Sequence, residues 1–330
     1  MTAMKELTLG RRGLLTGAAA LAALPLAARA QADYPARPIT LIVPFPPGDG
    51  PDLMARALAE MLQPRLGQPI IVQNQPGAGT TVAAQALRRA APDGYTLMLG
   101  GSTTLSVAPV LYPRLNLDPV RDFTLVCNLT KSPFVLLVRR DGPPTLAALL
   151  DAARAAPQPM AYGSAGAGSP HRLLASLLTR AAAVTMTHVP YRGVSPALTD
   201  LVAGRVPMLF SHIAAPMGFL RSGDLRALAV TPPSRLPALP DVPTMAELGF
   251  PGFENAAWIG IMAPPGLPRP IAERLSREAV GILETPAGRA RMEALHLFPD
   301  PIPFERLDGF VAAEAARWRE IVLASGAVVE

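Results

Sequence analysis

The stretch 35–60, PARPITLIVPFPPGDGPDLMARALAE, leaves its backbone few choices. Ile39-Thr40-Leu41-Ile42-Val43 is a short apolar strand, and the turn after it is dominated by proline and glycine. An amphipathic helix is predicted from near Asp52, with Leu53, Ala57, Met61 and Leu62 on one face. A strand, a tight turn and a helix start leave backbone N–H groups unpaired at the positive end of the helix dipole, and such a place suits an anion.

With 330 residues, 50% hydrophobic and 17% charged, the chain can bury a large core and has room for two domains. Residues 1–32 read as a secretory signal: Lys5, Arg11 and Arg12 precede an apolar run from Leu14 to Ala28, and Ala28-Arg29-Ala30 or Ala30-Gln31-Ala32 offers a cleavage site. Arg11-Arg12 resembles a twin-arginine export signal, the general secretory route being the alternative. Without 1–32, 26 basic residues face 24 acidic ones, too small a bias for DNA or RNA. Cys127 has no second cysteine to pair with, so it reads as a buried, inert thiol. The expected product is soluble in the periplasm.

Beyond the signal, short apolar runs alternate with helical patterns, which predicts an α/β fold. Strands are expected at Ile70-Ile71-Val72, 95–99, 134–138, 160–162, 185–188, 206–210, 225–230 and 258–262. Helices are expected at 80–90, at 146–155 behind a Thr145 cap, at 170–181 behind a Ser169 cap, and at 195–204. Thr244 to Glu247 has the form of a capping box opening a short helix that Gly249 ends. The layout is two α/β lobes with a ligand between them. The first lobe is 33–130, the second is 131–231, and 232–330 is a crossover and C-terminal part that completes the first.

Four loops, each beside a strand end, are candidates for ligand contact. In the first, Phe45, Pro47, Gly48, Asp49 and Gly50 precede Asp52, which is expected to cap the helix. Asp49 has three open readings: repelling an anion, meeting an amine, or pointing to solvent. The second contributes Gly77 and Ala78, and is equally a well-capped turn. The third contributes Ser164, Ala165, Gly166 and Ser169, and the fourth Tyr191, Arg192 and Gly193. Together they would clamp a small carboxylate.

Enzyme readings fail on specifics. No glycine loop has the phosphate-binding Gly-Lys-Ser/Thr ending, and Gly48-Asp49-Gly50 lacks dinucleotide spacing. Residues 163–169 lack Gly-x-Ser-x-Gly, and His171, His188, His212 and His296 have no metal-ligand spacing. No catalytic residue, metal or cofactor is expected.

Ordered motifs then carry a resemblance. They include Tyr34-Pro35-x-x-Pro38-Ile39, Val43-Pro44-Phe45-Pro46-Pro47-Gly48, Asn74-x-Pro76-Gly77-Ala78-Gly79, Ala91-Pro92-Asp93-Gly94-Tyr95, Val189-Pro190-Tyr191-x-Gly193, Pro240-Asp241-Val242-Pro243-Thr244 and Trp258-x-Gly260. Over nearly all of 34–330 the chain resembles the solute-binding receptors of the tripartite tricarboxylate transporter family, the Bug receptors. The resemblance implies a periplasmic binding protein of type II, a Venus flytrap closing on a carboxylated solute in the interlobe cleft. It also implies a first loop holding the near carboxylate through backbone groups, and loops 163–169 and 191–195 holding the distal end. The implied partner is a membrane permease of one small and one large subunit, with a membrane sensor kinase as the alternative; a monomer is expected. Two positions depart from the family pattern. Asp49 stands where glycine is usual, and Pro207 stands where an aspartate is common. Both bear on a di- or tricarboxylate preference.

Overall fold

A computed structural model describes residues 34–254 and 256–326. The signal expected over 1–32 lies outside them. The first half of the fold runs β1 (Ile39–Val43), α1 (Gly50–Leu66), β2 (Ile70–Asn74), α2 (Thr81–Arg88), β3 (Thr96–Gly101), α3 (Ala108–Leu111) and β4 (Thr124–Arg139). The second runs α4 (Leu146–Ala155), β5 (Met160–Ser164), α5 (Pro170–Ala181), β6 (Met186–Pro190), α6 (Val194–Val202), β7 (Met208–His212), α7 (Met217–Ser222) and β8 (Leu225–Val230). The chain closes with β9 (Ala256–Ala263), α8 (Arg269–Glu284), α9 (Pro286–Ala294), β10 (Phe298–Ile302) and α10 (Phe310–Ser325).

The protein is a two-lobed α/β binding fold, and one strand joins its two sheets. β1 pairs in parallel with β2 and β3, while β9 runs antiparallel between β3 and β4. β4 uses Thr124–Pro133 against β9, then pairs Phe134–Val138 with β7 along one edge and Val135–Arg139 with β8 along the other. The sequence shows a break at Lys131-Ser132-Pro133, so only 134–138 reads as a strand. The structure instead has one nearly buried 16-residue strand, with Pro133 where partners change. Proline brings no N–H, and a handover between sheets is where a missing donor costs least. Beyond it, Phe134 N–H donates to Thr231 Oγ1 at 3.1 Å and Thr231 N–H donates to Phe134 O at 3.0 Å.

Each sheet is covered on both faces. Beneath one face of the first lie α1 and α8, with Leu58, Leu62, Leu275 and Leu283 fully buried. On the second sheet, Leu173, Leu174 and Leu178 of α5 pack against Phe134, Leu136 and Phe210. The C-terminal helix belongs to neither lobe alone: Phe310 and Val311 of α10 pack on the first-sheet cluster, and Trp318, Ile321 and Val322 on the cluster of α5. Gly260 has a steric reason, since a Cβ there would lie 2.1 Å from Cys127 O. Cys127 is fully buried, and burial pushes its thiol up to about 12.

Local rules succeed at helix starts. Thr145 accepts from Ala148 N–H and Ser169 from Arg172 N–H. The Thr244–Glu247 box forms both reciprocal bonds, but closes a turn rather than opening a helix. α7, α9 and β10 were not legible, because their short segments carry no sustained apolar period.

In the second lobe, His171 and His212 meet edge to face at 4.8 Å, with Phe134 against both. Burial pushes His212 down to about 4, partly opposed by a hydrogen bond with the Ser132 backbone, and burial, then the neighbouring His212, holds His171 well below its ordinary value. Both imidazoles are neutral in the fold but titrate near 6.5 when unfolded. The unfolded chain therefore binds more protons below that pH, so stability is lost as pH falls from 6.5 toward 4. His212 alone contributes on the order of 3 kcal/mol to that loss. Urea unfolding at pH 7 and pH 4.5 is expected to show it, with a smaller difference in His212→Gln; equal differences would contradict the assignment.

Candidate functional site

The four loops converge where the lobes face each other, around a cavity of about 390 Å3. Of the residues expected from sequence, Phe45, Gly77, Ala78, Ala165, Gly166, Ser169, Tyr191, Arg192 and Gly193 line it. Pro47, Gly48, Asp49, Gly50 and Ser164 do not. Pro44, Pro46, Pro76, Gly79, Thr80, Thr103, Tyr112 and Ala167 complete the wall. Most of these adjoin the expected residues. Thr103 and Tyr112 sit in a helical stretch after β3 that had no loop signature, and sequence reasoning missed them.

The first loop is fixed by Asp52, but not as the expected cap. Asp52 lies inside the first turn of α1, where its carboxylate accepts from Gly48 N–H (2.9 Å), Arg56 Nε (3.1 Å) and Asn74 Nδ2 (2.8 Å). Asn74 Nδ2 also donates to Phe45 O at 3.0 Å. Burial opposes the Asp52 charge, yet the bonds from Arg56, Gly48 and Asn74 outweigh it and hold the carboxyl below its ordinary value.

Asp49 occupies the N-cap position of α1, with φ −70° and ψ 158°, but its side chain makes no bond to that helix. It crosses to the second lobe instead. Its carboxylate accepts from Val194 N–H (3.1 Å), Ser195 N–H (2.9 Å) and the Ser195 hydroxyl, at the start of α6. The residue that should cap one helix therefore caps another, 145 residues on. Asp49 is 2% exposed. Burial raises its pKa, with the bonds from Ser195 and Val194 pulling the other way. None of the three sequence readings of Asp49 describes this contact, because nothing local in the sequence shows which helix start will lie opposite.

Close approaches accompany that contact. A Cβ on Gly193 would lie 2.4 Å from the Pro46 ring and 3.1 Å from Asp49 Oδ2, and one on Gly168 would lie 2.4 Å from the Tyr112 hydroxyl. On the second-loop side, Ala78 and Thr80 hold φ of 42° and 77°, left-handed values unfavourable for side chains. Thr80 and Thr104 hydroxyls share a 2.9 Å hydrogen bond.

Other side chains are committed away from the cavity. Ser164 Oγ bonds His188 Nε2 at 2.6 Å and accepts from Gly166 N–H at 3.1 Å. Burial, then the charge of Arg172, pushes His188 down to about 4. The Tyr191 hydroxyl donates to Asp200 at 2.7 Å; burial and that bond push it up to about 12. Arg192 is exposed and is the one charged residue lining the cavity among the described residues. A groove of about 500 Å3 near Pro232, Leu236 and Trp258 lies away from the four loops and carries charges of both signs, Lys131, Arg235 and Arg317 with Glu254 and Glu314. Among the described residues no group of three or more His, Cys, Asp and Glu could hold a metal, and no helix is long and apolar enough to cross a membrane.

Two lobes, a strand hinge and a cleft walled by loop backbone define an extracytoplasmic solute receptor of type II architecture. Residues 54–326 match the family described as "Tripartite tricarboxylate transporter family receptor". The chain is 38% identical to the "UPF0065 protein in tcbD-tcbE intergenic region" of Pseudomonas sp. (strain P51), over 96% of this chain and 94% of that one. It is 37% identical to "Protein BugT" of Bordetella pertussis, over 93% and 95%. Among solved structures it is similar to "periplasmic binding protein BugD" (TM-score 0.84, 32% identity, 90% of this chain and 100% of that one). It is also similar to R. palustris Rpa4515 with adipate (0.85, 32%, 89% and 99%) and to MatC from Rhodopseudomonas palustris with bound malate (0.82, 36%, 88% and 100%). The chain belongs to the tripartite tricarboxylate transporter receptor family. It is a solute-binding receptor of that transporter family, with the architecture of a periplasmic binding protein.

Replacing Gly193 by alanine forces the Pro46 ring away from α6 and is expected to cost about 1–3 kcal/mol. Equilibrium urea unfolding measures this; an unchanged midpoint would contradict the close approach.

Proposed function

We propose that the cavity between the loops holds the carboxylate end of a small organic acid through backbone N–H groups of 77–79 and of 167 and 168, with Arg192 drawing the anion to the rim. The supporting observation is the wall itself. It contains no acidic side chain, its one charged residue is cationic, and α2 and α5 both begin at it. Helix starts favour negative charge, and a preformed wall of low polarity strengthens each bond to it. Adipate on Rpa4515 and malate on MatC support the same ligand class for this chain.

The lobes of this proposal are 33–130 with 232–330, and 131–231, hinged at Pro133 and Thr231 and tied by α10. The cleft is complete within one chain, so the receptor acts as a monomer. It delivers its solute to a membrane permease with small and large subunits; presentation to a sensor kinase would use the same cleft, and the family match favours the permease.

A thermal-shift screen of the mature protein against mono-, di- and tricarboxylates, amino acids, aromatic acids and neutral sugars tests this reading. A true ligand at a hundred times its Kd stabilises by about 2.7 kcal/mol, which raises the melting temperature by several degrees. At least one carboxylate is expected to do so. A shift with a neutral sugar and none with any carboxylate would overturn it.

A further inference from the structure

We propose that Asp49 is a specificity-determining residue: its carboxylate fills the anion position at the start of α6, so the receptor selects solutes with one carboxylate over those with two. The inference rests on the carboxylate-binding reading above and names the class of acid within it.

Tyr191, Arg192 and Gly193 line the cavity, and the next residues along the chain, Val194 and Ser195, supply the first free donors of α6. These donors directly follow the cavity-lining Gly193 and form an anion position, yet a protein carboxylate already takes both N–H groups and the Ser195 hydroxyl. Asp49 is nearly inaccessible, and the other charge acting on it is Asp52, which repels. A second ligand carboxylate would meet occupied donors and a buried charge of its own sign. One carboxylate remains welcome, because the backbone N–H groups of 77–79 and of 167 and 168, beside the cavity, make no hydrogen bond to a protein acceptor. The rest of the wall suits an apolar body, with Phe45, Pro46, Pro76 and Tyr112 on one side and Ala165 and Ala167 on the other.

The position fits this role better than simple repulsion does. Asp49 does not line the cavity, so it acts through the donors it removes. Glycine at this position would leave those donors to the ligand without altering the Asp52–Asn74 network that shapes the loop.

The test compares matched acids of one and two carboxylates: butyrate with succinate, hexanoate with adipate, benzoate with terephthalate. Titration calorimetry gives each Kd for the mature protein and for Asp49→Gly. The wild type is expected to bind the preferred monocarboxylate at least tenfold more tightly than its dicarboxylate partner. In Asp49→Gly the ratio should move at least tenfold toward the dicarboxylate. A purely structural role would weaken both members of a pair alike and leave the ratio unmoved. If Asp49→Gly does not fold, Asp49→Ala removes the acceptor at a backbone φ of −70° that alanine adopts freely, and the same shift in ratio is expected. Tighter dicarboxylate binding by the wild type, or a ratio that changes less than threefold on substitution, would overturn this inference while the carboxylate reading stood. Binding of none of the six acids by either protein, in a protein that a neutral solute stabilises, would overturn both.

Discussion

A carboxylate from one lobe on the helix start of the other organises this receptor. Asp49 and α6 come from loops that are far apart in the chain, and their contact fixes how the lobes approach. A buried carboxylate is costly unless several donors reach it, and here two amides, a hydroxyl and a helix dipole do so. The contact also holds the first loop against the start of α6. Asp52 and Asn74 tie that loop from behind, and Gly193 lets Pro46 lie against the fourth loop in front. The cavity is what remains between these fixed pieces.

The hinge follows a related economy. β4 serves both sheets, so the lobes share a backbone rather than a linker, and Pro133 marks the residue where the pairing changes. α10 adds a second tie, with Trp318 buried in the second-lobe core and Phe310 beside Trp258 in the first. Relative motion of the lobes therefore bends a strand and shifts one helix, and the two cores need not be disrupted.

Much of the fold was legible in the sequence because its signals are local. Alternation of apolar runs and helical periods gave the α/β class, and Thr145 and Ser169 marked helix starts through their own side chains. The loops stood out by proline and glycine, and nine of the residues chosen in them line the cavity. What escaped depends on distance in the chain. Tyr112 and Thr103 reach the cavity from a helical stretch without loop chemistry, and β4 hides its length behind a proline. Asp49 looked like a loop acid beside an anion site because its true partner lies in another lobe. Asp52 looked like a cap because the helix starts two residues earlier than the apolar period suggests.

The most direct measurement is a crystal structure of the mature protein with a carboxylic acid that raises its melting temperature. The account places the ligand carboxylate on the backbone of the second and third loops, with Asp49 still bonded to Val194 and Ser195. A ligand carboxylate seated on the Val194 and Ser195 amides, with Asp49 turned out to solvent, would contradict it.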